Sequence, residues 1–496
     1  MNIFKKILLF SLVLIIGILP ISGCTDTTND AYIYFELPKI PTTLDPQTAS
    51  EDSELLIIKN IYEGLLRLDK NGKIVCGAAE SYEKKGLEYT FKLRKDAKWS
   101  NGDDLTAEDF AFALKRAVNP KNMAPFAERL KCIKNAEKII SGKLTYNNLG
   151  VKVIDSKTLK ITLDYNDKNF EKYLTTSVAM PCNKKIFDES EGKYGLVKDF
   201  IVSNGSYKLS KWNKTSFGIR LYRNDQYDGD FTSKNAAVFL TCRNDEDVTV
   251  KLKENKIDMA FVNTALSEDL ISSGLKKVEY QNICWVLTIS REFSADMRTA
   301  LVSLVGSEIY SSNLPSGYSP ANSIFPAVIT KNTPVNGIIP YNLENGKKIF
   351  KKEIQKLEEN KFPSNTVLYY YDNGFSKNVV TDIVGHWQSN LSAFVNIEAA
   401  SESELLVPEL KEQTLSMAIF PVRADNSDLR EYISKYDTNK NATNLSKIQE
   451  DILKNTTIVP LFFENTCIAY SQAITNLVTT PGDGYIDFSQ IKKVNI

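Results

Sequence analysis

The sequence predicts an α/β protein with mixed sheets. Three observations carry that reading. Strand and helix patterns alternate from residue 367 to residue 422, which implies parallel strands joined by right-handed crossovers. Tyr89, Phe91 and Leu93 alternate with polar residues at the period of a half-buried strand. Residues 151–154 and 159–163, joined through Asp155-Ser156-Lys157, read as an antiparallel hairpin.

Taken in order, residues 53–66 form an amphipathic pattern, with Leu56, Asn60 and Tyr62 flanked by Leu55, Ile58, Leu65 and Leu66, and predict a helix. Asn101-Gly102 marks a turn. Thr106-Ala107-Glu108-Asp109 then opens a helix, because the Thr106 hydroxyl and the Asp109 carboxylate can satisfy free backbone amides at its start. Phe110, Ala113, Leu114 and Ala117 are its apolar stripe and Pro120 stops it. Further on, 367–371 is a strand and 377–394 a helix with Val380, Ile383, Val384, Trp387 and Leu391 on one side. Residues 395–399 are a strand, 402–412 a helix and 415–422 a third strand. Ligands of open sheets sit beyond the carboxyl ends of such strands, which makes Asp425 a candidate contact.

The first residues fix the compartment. Lys5 and Lys6 precede an apolar run from Ile7 to Leu19, followed by Ile21-Ser22-Gly23-Cys24. The run is shorter than the roughly 20 residues a bilayer span needs, and the ending is that of an export signal with a lipid-modified cysteine. Residues 1–23 are therefore expected to be cleaved, Cys24 to carry acyl chains, and 24–30 to be a polar tether. The expected location is the extracytoplasmic face of the cell membrane.

The chain has 61 basic and 61 acidic residues, and losing Lys5 and Lys6 tips it slightly to acid. Nothing in that balance suggests nucleic acid, which calls for a basic patch. The single histidine, His386, cannot build a multi-histidine metal site, so neither metal nor cofactor is expected. Cys76, Cys132, Cys182, Cys242, Cys284 and Cys467 have none of the close spacings of zinc or redox motifs. They read equally as disulfide partners or as buried thiols. No serine elbow, papain-like cysteine or glycine-rich phosphate loop is present, and an enzyme is not expected.

A run of motifs then carries a resemblance: Leu44-Asp45-Pro46, Tyr62-Glu63-Gly64-Leu65-Leu66, Ala78-Ala79-Glu80-Ser81-Tyr82, the stretch from Tyr89 to Gly102, and Leu105-Thr106-Ala107-Glu108-Asp109-Phe110. It continues through Asn204-Gly205-Ser206-Tyr207, Leu221-Tyr222-Arg223-Asn224-Asp225 and Ile458-Val459-Pro460-Leu461. Together these resemble the peptide-binding class of extracellular solute-binding proteins, the lipoproteins that serve ATP-binding-cassette importers.

The resemblance implies two lobes joined by a double-strand hinge, with a subdomain inserted in the first. The first lobe would be 31–48, 164–263 and 469–496, the inserted subdomain 49–163 and the second lobe 264–468. It implies a monomer that captures short peptides and hands them to permease subunits. Asp425 ends a stretch, Val422-Arg423-Ala424-Asp425, that matches the family's Trp-x-Ala-Asp, whose acid holds the peptide's amino group. Ser50 and Phe126 fall at ligand-lining positions, and Arg423 can pair a peptide carboxylate. Trp99 is expected in the core of the inserted subdomain, and Asn204-Gly205 in a turn near the hinge. Val422 replaces the family's tryptophan, and the second lobe is short between Tyr436 and Asn444. Those departures keep two other readings open: the same fold around a signalling peptide, metal chelate or haem, or a degenerate surface lipoprotein without a transport role.

Overall fold

The computed structural model describes residues 29–213, 218–242, 247–262, 264, 267–315, 317–325, 337–372, 374–400, 416–423, 449–450, 453–454, 456–480 and 485–494. Cys24, Asp425 and the expected helix 402–412 lie outside them, and Arg423 is described in its backbone only.

In chain order the principal strands are β1 (Asn29–Leu37), β2 (Ala79–Lys85), β3 (Glu88–Leu93), β4 (Val151–Asp155), β5 (Thr158–Thr162), β6 (Tyr207–Asn213), β7 (Gly218–Arg223), β8 (Asn235–Cys242), β9 (Met259–Val262), β10 (Lys276–Ile289), β11 (Tyr318–Pro320), β12 (Val367–Tyr371), β13 (Asn396–Ala400), β14 (Ser416–Arg423) and β15 (Ile458–Tyr470). One sheet of 11 strands runs β13-β12-β14-β10-β15-β9-β1-β8-β7-β6, with β11 added to β15. β12 is parallel to β13 and β14, and β1 is parallel to β8 and β9, while β10 and β15 pair antiparallel. The fold is the predicted α/β class with mixed sheets, in two lobes.

Alternation along the long strands explains why. On β10, Trp285, Leu287 and Ile289 join the core formed with Val379, Val380, Ile383 and Trp387 of the helix Ser376–Leu391. Cys284 and Val286 face the other way and pack with Phe420, Val422 and Phe463. The first lobe has its own core, in which Ile33 and Phe35 of β1 meet Ile468, Ile474, Ile486, Phe488 and Ile491 from the chain's far end.

The segment between Asp52 and Thr162 adds a four-stranded sheet, β2-β3-β5-β4, and the helix Ala107–Val118. Tyr89, Phe91 and Leu93 all point into its core, as their period requires, each burial contributing roughly 1.5–3 kcal/mol. The expected capping box is present, with the Thr106 N–H donating to Asp109 Oδ2 at 2.9 Å. The same oxygen accepts from the indole of Trp99 at 3.2 Å, which fixes that fully buried ring. This segment shares its core with the first lobe.

The first predicted helix is shorter than its pattern. It spans Asp52–Ile61, and Tyr62 is already extended. The backbone beyond is claimed by tertiary partners: the Glu63 N–H donates to Asn204 Oδ1 at 3.0 Å, and Leu65 O accepts from Gly77 N at 3.0 Å. The six described cysteines are free thiols, five buried and Cys76 half-buried.

Candidate functional site

β10 and β15 are the longest of the described strands and they cross from lobe to lobe. At one end β15 pairs with β9 through Cys467–Tyr470, inside the first lobe. At the other, β10 pairs with β14 through Ile283–Ile289, inside the second. Between these stretches, at Tyr280–Asn282 and Asn465–Thr466, the described sheet is two strands wide. A register shift falls at the same place: Gln281 pairs with Asn465 and Ile283 with Glu464, leaving Asn282 as the extra residue of a bulge. A two-strand waist broken by a bulge can bend with little lost packing, which is the geometry of a hinge.

Both lobes aim strand ends at this waist. Val262 ends β9 opposite Cys467, and the parallel neighbours β1 and β8 end at Leu37 and Cys242. In the second lobe, Arg423 ends β14 opposite Ile283, beside the carboxyl ends of β12 and β13 at Tyr371 and Ala400. Carboxyl ends of parallel strands are where open sheets hold ligands, and here two sets converge on one waist.

One carboxylate organises the segment after β1. Glu54 Oε1 accepts from Thr42 N at 2.9 Å, Thr42 Oγ1 at 2.7 Å and Thr43 N at 3.1 Å, and its Oε2 accepts from Ser50 N at 3.2 Å. The segment after β1 is thereby folded against the start of the helix Asp52–Ile61, with Ser50 exposed at its edge. Phe126 is half-buried, packs on the first-lobe core and lies under the Arg129 guanidinium at 4.0 Å. No described contact joins Ser50 to Phe126. Arg423 is placed by its backbone at the hinge end of β14, and Asp425 falls just beyond the described part of that strand.

Val422 pairs with Cys284 and is buried among Val286, Phe420 and Phe463. It serves packing there. Asn204 and Gly205 clasp the exit of the helix Asp52–Ile61: Asn204 Nδ2 donates to Glu63 O at 2.8 Å and Gly205 N to Ile61 O at 2.9 Å. A Cβ on Gly205 would meet the Ile61 carbonyl carbon at 2.9 Å, which excludes a side chain. Their described partners lie in this exit and at Asn224.

Two buried ionic clusters brace the first lobe. Glu63 accepts from Arg67 at 3.1 Å, Arg94 at 3.0 Å and the Tyr227 hydroxyl at 2.6 Å, while Arg67 also reaches Asp487 at 2.7 Å and Arg94 reaches Asp228 at 3.0 Å. Burial, then the Glu63 anion, pushes the Tyr227 hydroxyl well up. Arg116 makes the second cluster with Asp45, Gln47 and Cys182. His386 lies between the Tyr341 hydroxyl and the Asn390 amide, each 3.3 Å from a ring nitrogen, and burial lowers its pKa.

Sequence reasoning did not pick out the hinge residues Asn282, Glu464, Asn465 and Thr466. The one available signal was the polar trio Glu464-Asn465-Thr466 interrupting an otherwise apolar strand.

The model of the bacterial extracellular solute-binding proteins, family 5 Middle, matches residues 73–444. The chain belongs to that family. Family 5 members are solute-binding proteins rather than enzymes. Among curated relatives, the dipeptide-binding protein of Lactococcus lactis subsp. cremoris (strain MG1363) is 29% identical over 282 residues, 56% of this chain and 51% of the relative. The oligopeptide-binding protein OppA of Bacillus subtilis (strain 168) is 32% identical over 265 residues, 53% of this chain and 44% of OppA. The chain thus spans about half the length of the curated relatives it matches. A solved structure, the substrate-binding domain of an oligopeptide ABC transporter from Bacillus anthracis str. Ames, superposes with a TM-score of 0.75 at 22% identity. It covers 94% of this chain and 99% of that one, which establishes the two-lobed fold.

Proposed function

We propose that this family 5 protein is a lipid-anchored receptor on the extracytoplasmic face of a cell membrane. It captures short peptides between its lobes and delivers them, as a monomer, to the permease subunits of an ATP-binding-cassette importer. The observation that carries the reading is the bulged two-strand waist with carboxyl ends of parallel strands converging on it from both lobes. The names of relatives, dipeptide-binding and oligopeptide-binding, supply the ligand class.

In this account Cys24 carries the anchor and 24–30 the tether. The first lobe is 31–48, 164–263 and 469–496, the inserted subdomain 49–163 and the second lobe 264–468, save that Lys276–Glu279 and Cys467–Ile468, on the crossing strands, pair within the first lobe. Asp425 takes the peptide's ammonium, because an unpaired charge in a closed cleft is very costly and a carboxylate offsets that cost. The peptide backbone pairs with strand edges irrespective of sequence, while Ser50, Phe126 and Arg423 line the cleft. Closure is driven by contacts available only in the closed state.

The same fold around a different small ligand is the second reading. Val422, buried in an apolar cluster where the family's tryptophan would wall a pocket, favours it. Native mass spectrometry of the full chain as purified separates the two. Bound masses matching short peptides, and a raised melting temperature with a mixed peptide pool, are expected. A non-peptide mass, or no shift with any peptide in a folded sample, rejects the peptide reading.

A further inference from the structure

Glu464 occupies an unusual place. It is the first residue on the second-lobe side of the hinge bulge, paired with Ile283 on β10 and with Tyr318 on β11. Its side chain is half-exposed at the edge of an aromatic cluster. Trp285 stacks on Phe462 with centroids 5.4 Å apart, and Tyr318 meets Phe375 at 4.9 Å and Phe462 at 6.0 Å. The Trp285 indole N–H donates to Glu464 Oε2 at 2.8 Å. No cation lies within ion-pair distance of this carboxylate among the described residues, whereas the buried carboxylates of the first lobe, Glu63 and Asp45, each have an arginine.

We propose that Glu464 is a ligand contact of the cleft, selecting solutes that carry a cationic group, an ammonium or guanidinium, which would sit at the open side of its carboxylate beside the Tyr318 and Trp285 rings. A carboxylate half-buried against aromatic rings is less fully solvated than one at an open surface, so a partner cation gains more there. Aromatic faces attract the same cation. As an acceptor for the Trp285 indole and the Tyr318 hydroxyl the site needs no charge, since a glutamine carbonyl would serve both. Burial first, and then the neighbouring anion, holds the Tyr318 hydroxyl well above its ordinary pKa, so the ring stays neutral beside the carboxylate. The inference rests on the proposed capture of a solute between the lobes and adds a charge preference to it.

The test is calorimetric titration of the full chain with tri-lysine, tri-alanine and tri-glutamate. Tri-lysine is expected to bind about tenfold more tightly than tri-alanine, the size of one charge-assisted hydrogen bond. Glu464→Gln should bring that ratio within about twofold, and Glu464→Asp, which keeps the charge, should retain most of it. Equal affinities in the unaltered protein, or a ratio unchanged in the folded glutamine variant, overturn the proposal. If no peptide binds, the peptide reading fails by itself and cadaverine decides the rest. Binding of that diamine weakened by Glu464→Gln supports the cation site, and no binding of it overturns the site as well.

Discussion

Thr466 holds the extra residue of the hinge bulge: its hydroxyl donates to Asn282 Oδ1 at 2.7 Å, across the waist where the two lobes are joined by two strands. Asn282 is buried, so this acceptor has little recourse to water. Thr466→Val keeps the side-chain shape and removes the donor. It should cost about 1–3 kcal/mol, the penalty of an unsatisfied buried polar group. The denaturant midpoint should fall accordingly, and a change in peptide affinity larger than that loss would place the bond in the opening motion itself.

A second bond pairs the loop after β1 with the helix Ala107–Val118. Arg116 grips Asp45 through Nη2–Oδ2 at 2.6 Å and Nη1–Oδ1 at 3.2 Å, with both residues buried. Removing one member strands the other charge, so Arg116→Met should destabilise by about 3–5 kcal/mol. Adding Asp45→Asn should recover part of that loss, since the pair acts as a unit. Equal additive losses in a double-mutant cycle would contradict the assignment.

The free thiols set the alkaline limit. Burial pushes Cys242 up to about 11 and Cys132, Cys182 and Cys467 to about 12, from an ordinary value of 9.0. The folded chain therefore binds these protons more tightly than the unfolded one. Stability is undiminished below about pH 9, where both states are protonated, and declines as pH rises from there towards 12. Chemical denaturation at a series of pH values should show that fall. Under native conditions at pH 8, half-buried Cys76 should react first with a thiol reagent among the six.

Asp425→Asn removes the charge proposed to receive the ligand's amino group. Affinity for tri-alanine should drop about ten- to a hundredfold, as expected for one charge-assisted contact. N-acetylated tri-alanine, which lacks the ammonium, should bind both proteins alike. Equal loss for the acetylated peptide would assign Asp425 to the frame of the site.

Much of the fold was legible because period and burial agree. Tyr89, Phe91 and Leu93 face one core, and Val367–Tyr371 is the central parallel strand that the alternation implied. The helix ending was not legible, since Tyr62 and Leu65 continue the apolar pattern while Asn204, distant in sequence, takes the Glu63 amide. The hinge was hidden for a similar reason. β15 is buried through much of its length, β10 only from about Cys284 on, and their pairing joins residues far apart in the chain. Arg116 gave a signal that went unused: it stands on the same helical stripe as Asp109 and Ala113, where an arginine must find a buried partner.

Lobe closure is the centre of the account, and small-angle X-ray scattering of the full chain with and without a mixed pool of short peptides tests it most directly. A smaller radius of gyration is expected with peptide present, reached at concentrations that also raise the melting temperature. A scattering profile unchanged while peptide is bound would contradict it.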